Sequence, residues 1–183
     1  AIKPTAFKQD EIVFRAFSPG GTSLAADKDY VAAMTASQAV GAGGVGQFSQ
    51  IELRKILSGK VASANAGFSD LSSTVFGSGS RKDLETMFQL IYMAFTQPRS
   101  DPAMFGVITN QMKTILANRK NTPDYAFSEA LSQIMSQGHI RGRTMSPELV
   151  DEMNLEKSMA FYKERMADAS GFRFIFVGSL DLE

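Results

Sequence analysis

One histidine and no cysteine leave this chain few routes to metal or covalent chemistry. His139 follows Gly138 and precedes Ile140-Arg141-Gly142-Arg143. A metal site gathers several His, Cys or carboxylate ligands on one ion, and a catalytic imidazole needs an orienting partner. No such partner stands near His139 in the sequence, so it reads as a surface histidine on an exposed loop. Arg141 and Arg143 offer an anion or an acidic partner two guanidinium groups, yet their setting is that of solvated loop charges. Asp27 and Asp29 are too close together and too isolated for paired-carboxylate chemistry, and they suit a helix N-terminus, where the macrodipole favours negative charge. No serine sits in the G-x-S-x-G turn that presents a nucleophile. Without cysteine there are no disulfides, thiolate zinc sites or cysteine nucleophiles. The ten methionines recur at helical spacing and read as core filler.

Gly41-Ala42-Gly43-Gly44-Val45-Gly46 matches G-x-G-x-x-G letter for letter. A dinucleotide site needs a strand before the glycines and a helix opening at them, so that pyrophosphate meets a helix N-terminus. Here the order is reversed. A helical pattern precedes the glycines, which therefore read as a flexible helix-to-helix connection, and no cofactor is assigned to them.

The elements that would position these residues are legible from period and punctuation. Glu11 to Ser18 alternates with Ile12, Phe14 and Ala16 on one side, as a half-buried strand does, and Pro19-Gly20-Gly21 breaks it. Asp27 to about Ala42 is Ala-, Met- and Val-rich and predicts a buried helix. Ser49 and Glu52 form a capping box for a short helix through Leu57, closed by Gly59. Lys60 to Phe68 and Leu71 to Phe76 predict two antiparallel strands around a tight Ser69-Asp70 turn. Ser80 with Asp83 caps the clearest helix, in which Leu84, Met87, Phe88, Ile91, Tyr92 and Phe95 keep the 3.6-residue period until Pro98.

Asp101-Pro102 opens another helix, and Thr122-Pro123 a third with Phe127, Ala130, Leu131, Ile134 and Met135 on one stripe. Ser146-Pro147-Glu148 and Asn154 cap two more, the second running to about Ala169. Phe172 to Val177 closes the series as a buried strand. The order implies an α+β fold, a two-layer sandwich whose mainly antiparallel sheet is covered on one face by helices.

Composition bounds the rest. Residues 1–183 fit one domain with a core of its own. Nineteen basic and nineteen acidic residues cancel without segregating, so there is no basic face for nucleic acid. No apolar run approaches the roughly 20 residues of a membrane span. The opening Ala1-Ile2-Lys3-Pro4 reads as cut from something longer, and Leu182-Glu183 as a cloning scar.

Taken together, several segments resemble the insulinase/pitrilysin type of zinc metallopeptidase. They are Phe14 to Leu24 (FRAFSPGGTSL), Gly41 to Phe48, Glu52-Leu53 with Leu57 to Lys60, Asp83 to Leu90, Phe95 to Arg99, and Phe174 to Gly178. The match covers nearly the whole chain in order. No one piece is diagnostic, but the ordered set is fairly specific. The resemblance implies repeated α+β domains forming two halves of a closed chamber. Only the first such domain carries the inverted zinc motif H-x-x-E-H, with a further glutamate on a later helix. This chain resembles the non-zinc-binding domain that opens the second half of a bacterial two-half enzyme.

Carried over residue by residue, the zinc motif fails. Tyr30, Ala33 and Met34 occupy its approximate positions, and Asn110-Gln111-Met112 stands where the later glutamate is expected. Apolar side chains and the Gln111 amide do not replace imidazole and carboxylate ligands, nor the base that activates water. No catalytic, cofactor-binding or metal residue is therefore assigned.

The resemblance implies a non-catalytic structural and substrate-chamber domain of a zinc-dependent endopeptidase that degrades peptides or small proteins, with the zinc in a separate domain. The expected partners are other domains of the same polypeptide and peptide substrate. The family points to a bacterial periplasm or cell envelope. The alternative is a peptide- or partner-binding module of a parent that has lost catalysis.

Overall fold

The computed structural model describes residues 1–180; the Leu182-Glu183 assignment lies outside them. Five strands form one sheet in the order β1-β5-β2-β4-β3: β1 (Ile2–Pro4), β2 (Ile12–Pro19), β3 (Ala62–Phe68), β4 (Ser72–Gly79) and β5 (Arg173–Gly178). All neighbours are antiparallel except β1 and β5. The expected two-layer, mainly antiparallel α+β arrangement holds. Strand β1 is an addition to it, too short for an alternation to show.

The alternation of β2 sorts its side chains. Ile12, Phe14 and Ala16 are buried under the helices, while Val13 and Arg15 lie exposed on the other face. Phe14, wholly buried, meets the rings of Phe174 at 6.1 Å and Phe176 at 4.9 Å. Burying a side chain of this size contributes about 1.5–3 kcal/mol. Val75 joins it from β4, Met87 and Ile91 from α4 (Leu84–Thr96), and Met159, Tyr162 and Met166 from α8 (Leu155–Met166). On β4, Gly77 has no room for a side chain, because a Cβ there would stand 2.0 Å from the Ser63 carbonyl oxygen of β3.

A second, smaller cluster joins Val31 of α1 (Tyr30–Met34) to Leu149 and Val150 of α7 (Pro147–Asp151) and to Met153. Met34, Phe105, Met112 and Leu116 pack against it, the last three from α5 (Pro102–Lys120).

Local chemistry set the helix starts as expected. Ser49 and Glu52 complete the capping box of α3 (Gln50–Ile56), and Ser80, Asp101, Thr122, Ser146 and Asn154 each accept a backbone N–H at a helix start. Two expectations are corrected. The helix predicted over Asp27 to Ala42 is a single 3₁₀ turn at Asp27–Asp29, then α1, then α2 (Ala36–Gly41). The buried Thr35 hydroxyl donates to the Val31 carbonyl at 2.7 Å, the back-bonding that bends helices. The apolar stripe of α6 (Pro123–Met135) is not core. Phe127, Ile134 and Met135 are 70%, 74% and 76% exposed, because nothing among the described residues packs on that side.

Candidate functional site

The residues that the resemblance sets against the zinc motif are held by packing. Ala33 and Tyr30 are buried, and Met34 lies against the second cluster beside α5. Gln111 is exposed on α5. Thus α1 and α5 border the same apolar cluster, with methionines between them, and Gln111 does not enter it. Among the described residues, no group of three or more His, Cys, Asp or Glu is arranged to hold a metal ion.

The charged residues near this region behave differently from expectation. Arg141 is not a solvated loop charge. Its Nε donates to Asp27 Oδ1 at 2.8 Å, and its two terminal nitrogens donate to the carbonyls of Thr22 at 3.1 Å and Ala25 at 2.6 Å. Its guanidinium also lies 4.9 Å from the centroid of the Tyr30 ring. Arg143 forms a two-pronged pair with Glu152 at 2.6 and 3.0 Å, which holds the Glu152 carboxyl below its ordinary range.

Asp27 and Asp29 stand at a helix start as expected, in the 3₁₀ turn that leads into α1, without side-chain caps; they also pair with Arg141 and Lys157, the latter at 2.6 Å. The hydrogen bond from Lys157 is the main cause of the lowered Asp29 pKa. The Arg141 contacts close the loop after α6 onto the turn after β2. His139 lies exposed at the start of that loop, its Nδ1 accepting the Arg141 backbone N–H at 3.2 Å.

The glycine run is a pinned connection, not a flexible one. Val45 bridges to Phe48 and to Pro98, and Arg99 donates to the Gly43 carbonyl while pairing with Asp101. Gly44 needs its φ of 92°, since a Cβ there would stand 2.2 Å from the Phe48 carbonyl oxygen. Backbone lies close against Gly43 and Gly44, while Gly41 faces open space and Gly41, Gly44 and Val45 border a cleft.

Two clefts frame what chemistry is available. One, of about 400 Å³, lies between α3 and the edge strand β3 over Leu90, Ala94 and Tyr162. Its lining holds no histidine or carboxylate. The Tyr162 hydroxyl in its floor donates to the Ala94 carbonyl at 2.9 Å, and burial pushes its pKa up to about 12, so it is no base at neutral pH. The other, of about 630 Å³, holds His139, Glu129, Glu148 and Glu152. Glu152 is paired with Arg143; Ser146 and Lys120 hydrogen bonds bring Glu148 to about 2. Neither cleft assembles a nucleophile, a base and its orienting partner.

One sheet with its helical layer on a single face, in this strand order, is the fold of an insulinase-type (M16) peptidase domain, and comparison with known proteins bears out the resemblance read from the sequence. An Arabidopsis thaliana protein named zinc protease PQQL-like is 22% identical over 182 residues, which is 98% of this chain and 16% of that protein. The periplasmic protease PqqL from Escherichia coli superposes with a TM-score of 0.78 at 17% identity, over 98% of this chain and 20% of that one. A peptidase M16 inactive domain from Pseudomonas fluorescens gives 0.77 at 16% identity, over 98% of this chain and 44% of that one. No family model matches the chain. The chain thus spans about a sixth of the curated relative it matches.

Proposed function

We propose that this chain is a non-catalytic scaffold domain of a zinc-dependent endopeptidase, building part of the chamber around peptide substrate while a sister domain holds the zinc. The observation that supports it is the apolar packing of the residues that the resemblance sets against the zinc motif. At the positions where the zinc motif would stand, Ala33 and Met34 belong to apolar packing and Tyr30 lies beneath Arg141. Such a centre offers no Lewis acid and no hydroxide. The likeness to proteases of which the chain covers only a fraction supports a role as one unit among several. We place it as the unit opening the second half, residues 1–183 forming one domain, and assign the parent to a periplasm or cell envelope on the likeness to PqqL.

The test is peptide cleavage by the full-length polypeptide. Substituting the glutamate of an H-x-x-E-H motif in another domain abolishes cleavage, whereas His139→Ala in this one leaves it unchanged. A full-length polypeptide with no such motif and no cleavage would favour a peptide- or partner-binding module instead.

A further inference from the structure

Helix α6 and the loop after it hang on the rest of the fold by few ties. Of its thirteen residues only Tyr125 is buried, and Phe127, Leu131, Ile134 and Met135 face outward. The helix ends on Gln137 and Gly138, whose φ values of 53° and 72° fold the chain back along it. The returning loop is fastened to the helix. Ser132 Oγ donates to the Gly142 carbonyl at 2.7 Å, and a Cβ on Gly142 would stand 2.2 Å from that of Ser136. Helix and loop therefore form one unit, joined to the remainder near its two ends. Near its start the Tyr125 hydroxyl donates to the Met145 carbonyl at 3.4 Å. Near its end Arg141 holds Asp27, Thr22 and Ala25. Between these anchors the unit borders the cleft of about 630 Å³, with Glu129, Gln133 and His139 on its side and Glu148, Leu149 and Glu152 on the other.

We propose that α6 and its returning loop are a latched flap, a unit that undocks and melts by itself while the rest of the chain stays folded, with Arg141 as the catch. A thirteen-residue helix is marginal in water without tertiary packing, and undocking this one gives up a single buried side chain. Segments that bury little open at low free energy, well below that of global unfolding. What holds the flap shut is then the set of three hydrogen bonds from Arg141, which draws the loop onto the turn after β2. Whatever takes Arg141 or Asp27 out of that set raises the fraction of time the flap is open. Opening turns the cleft into a groove along α7, with Leu149 uncovered between Glu148 and Glu152. This device belongs to the chain itself and works whether or not the parent cleaves peptides.

Amide hydrogen exchange of residues 1–183, read by mass spectrometry in native buffer and in urea below the unfolding transition, tests this. Amides from Phe127 to Gly138 are expected to share one protection factor, well below those of β2 and α4, and to respond weakly to urea because little surface is exposed. Arg141→Ala is expected to speed them about tenfold, and Asp27→Asn, a milder change that weakens one of the three bonds, to speed them less. Met87→Ala removes packing that the open flap leaves intact, so it speeds exchange in β2 and α4 and leaves α6 unchanged; Ile91→Val does the same more gently if the first variant fails to fold. Protection in α6 equal to that of α4 overturns the proposal, as does acceleration of α6 by Met87→Ala or Ile91→Val, since either makes global unfolding its route of exchange. Protection that fades gradually toward Gln137 overturns it as simple fraying. An α6 unmoved by both Arg141→Ala and Asp27→Asn overturns it by removing the catch.

Discussion

Arg141 does at the residue scale what the local sequence gives no sign of. Its partners Asp27, Thr22 and Ala25 lie more than 110 residues away along the chain, and only the fold brings them under one guanidinium. Arg141→Ala removes three hydrogen bonds and leaves two carbonyls partly buried, so it is expected to cost about 1–3 kcal/mol. Arg141→Lys recovers only part of that, because an ammonium lacks the planar fork. Urea unfolding reads both as a lower midpoint at unchanged slope; an unmoved midpoint for the alanine variant contradicts the stabilising role of these Arg141 contacts.

Glu148 gives a pH prediction. Its carboxyl, near 4.3 when unfolded, is brought to about 2 by hydrogen bonds from Ser146 and Lys120. A depressed acid stabilises the fold above its unfolded pKa and stops doing so as pH falls through the folded value. Stability is therefore lost between about pH 4.5 and 2. Glu148→Gln flattens that limb, seen in urea midpoints at pH 6 and pH 3.

At the scale of elements, what could be read from sequence was what short-range chemistry decides. The caps at Ser49, Ser80, Asp101, Thr122, Ser146 and Asn154 act within three residues, and the alternation of β2 reports the burial of Ile12, Phe14 and Ala16 directly. Strand β1 escaped because three residues carry no period and its pairing depends on β5 at the far end of the chain. The break at Thr35 is a hydroxyl competing for a helix carbonyl, which composition does not show. The stripe of α6 was legible as apolar, but not as uncovered, since period tells which side is greasy and not what lies against it. Two substitutions separate these cases. Met87→Ala, at a fully buried position, is expected to cost about 2–5 kcal/mol. Ile134→Gln, on the exposed stripe, stays within about 0.5 kcal/mol in thermal or urea unfolding of this chain. A large loss at Ile134 contradicts the exposed α6 face.

On the scale of the whole molecule, the sheet and its helical layer have the fold of an insulinase-type peptidase domain, and Tyr30, Ala33 and Met34 are packed within it. Of the candidate site, the sequence shows that Tyr30, Ala33, Met34 and Gln111 carry neither imidazole nor carboxylate; their match to the zinc motif is an expectation from the resemblance. That Met34 and α5 share one apolar cluster, with Gln111 left outside it, needed the fold. Among the described residues nothing covers the α6 stripe, which leaves Phe127, Ile134 and Met135 in the open.

Zinc content of the isolated chain, purified and then incubated with excess zinc before dialysis, tests the central claim most directly. The account predicts no stoichiometric zinc by elemental analysis and an unchanged melting temperature when a chelator is added. One zinc retained per chain, with a chelator-sensitive melting temperature, would contradict it.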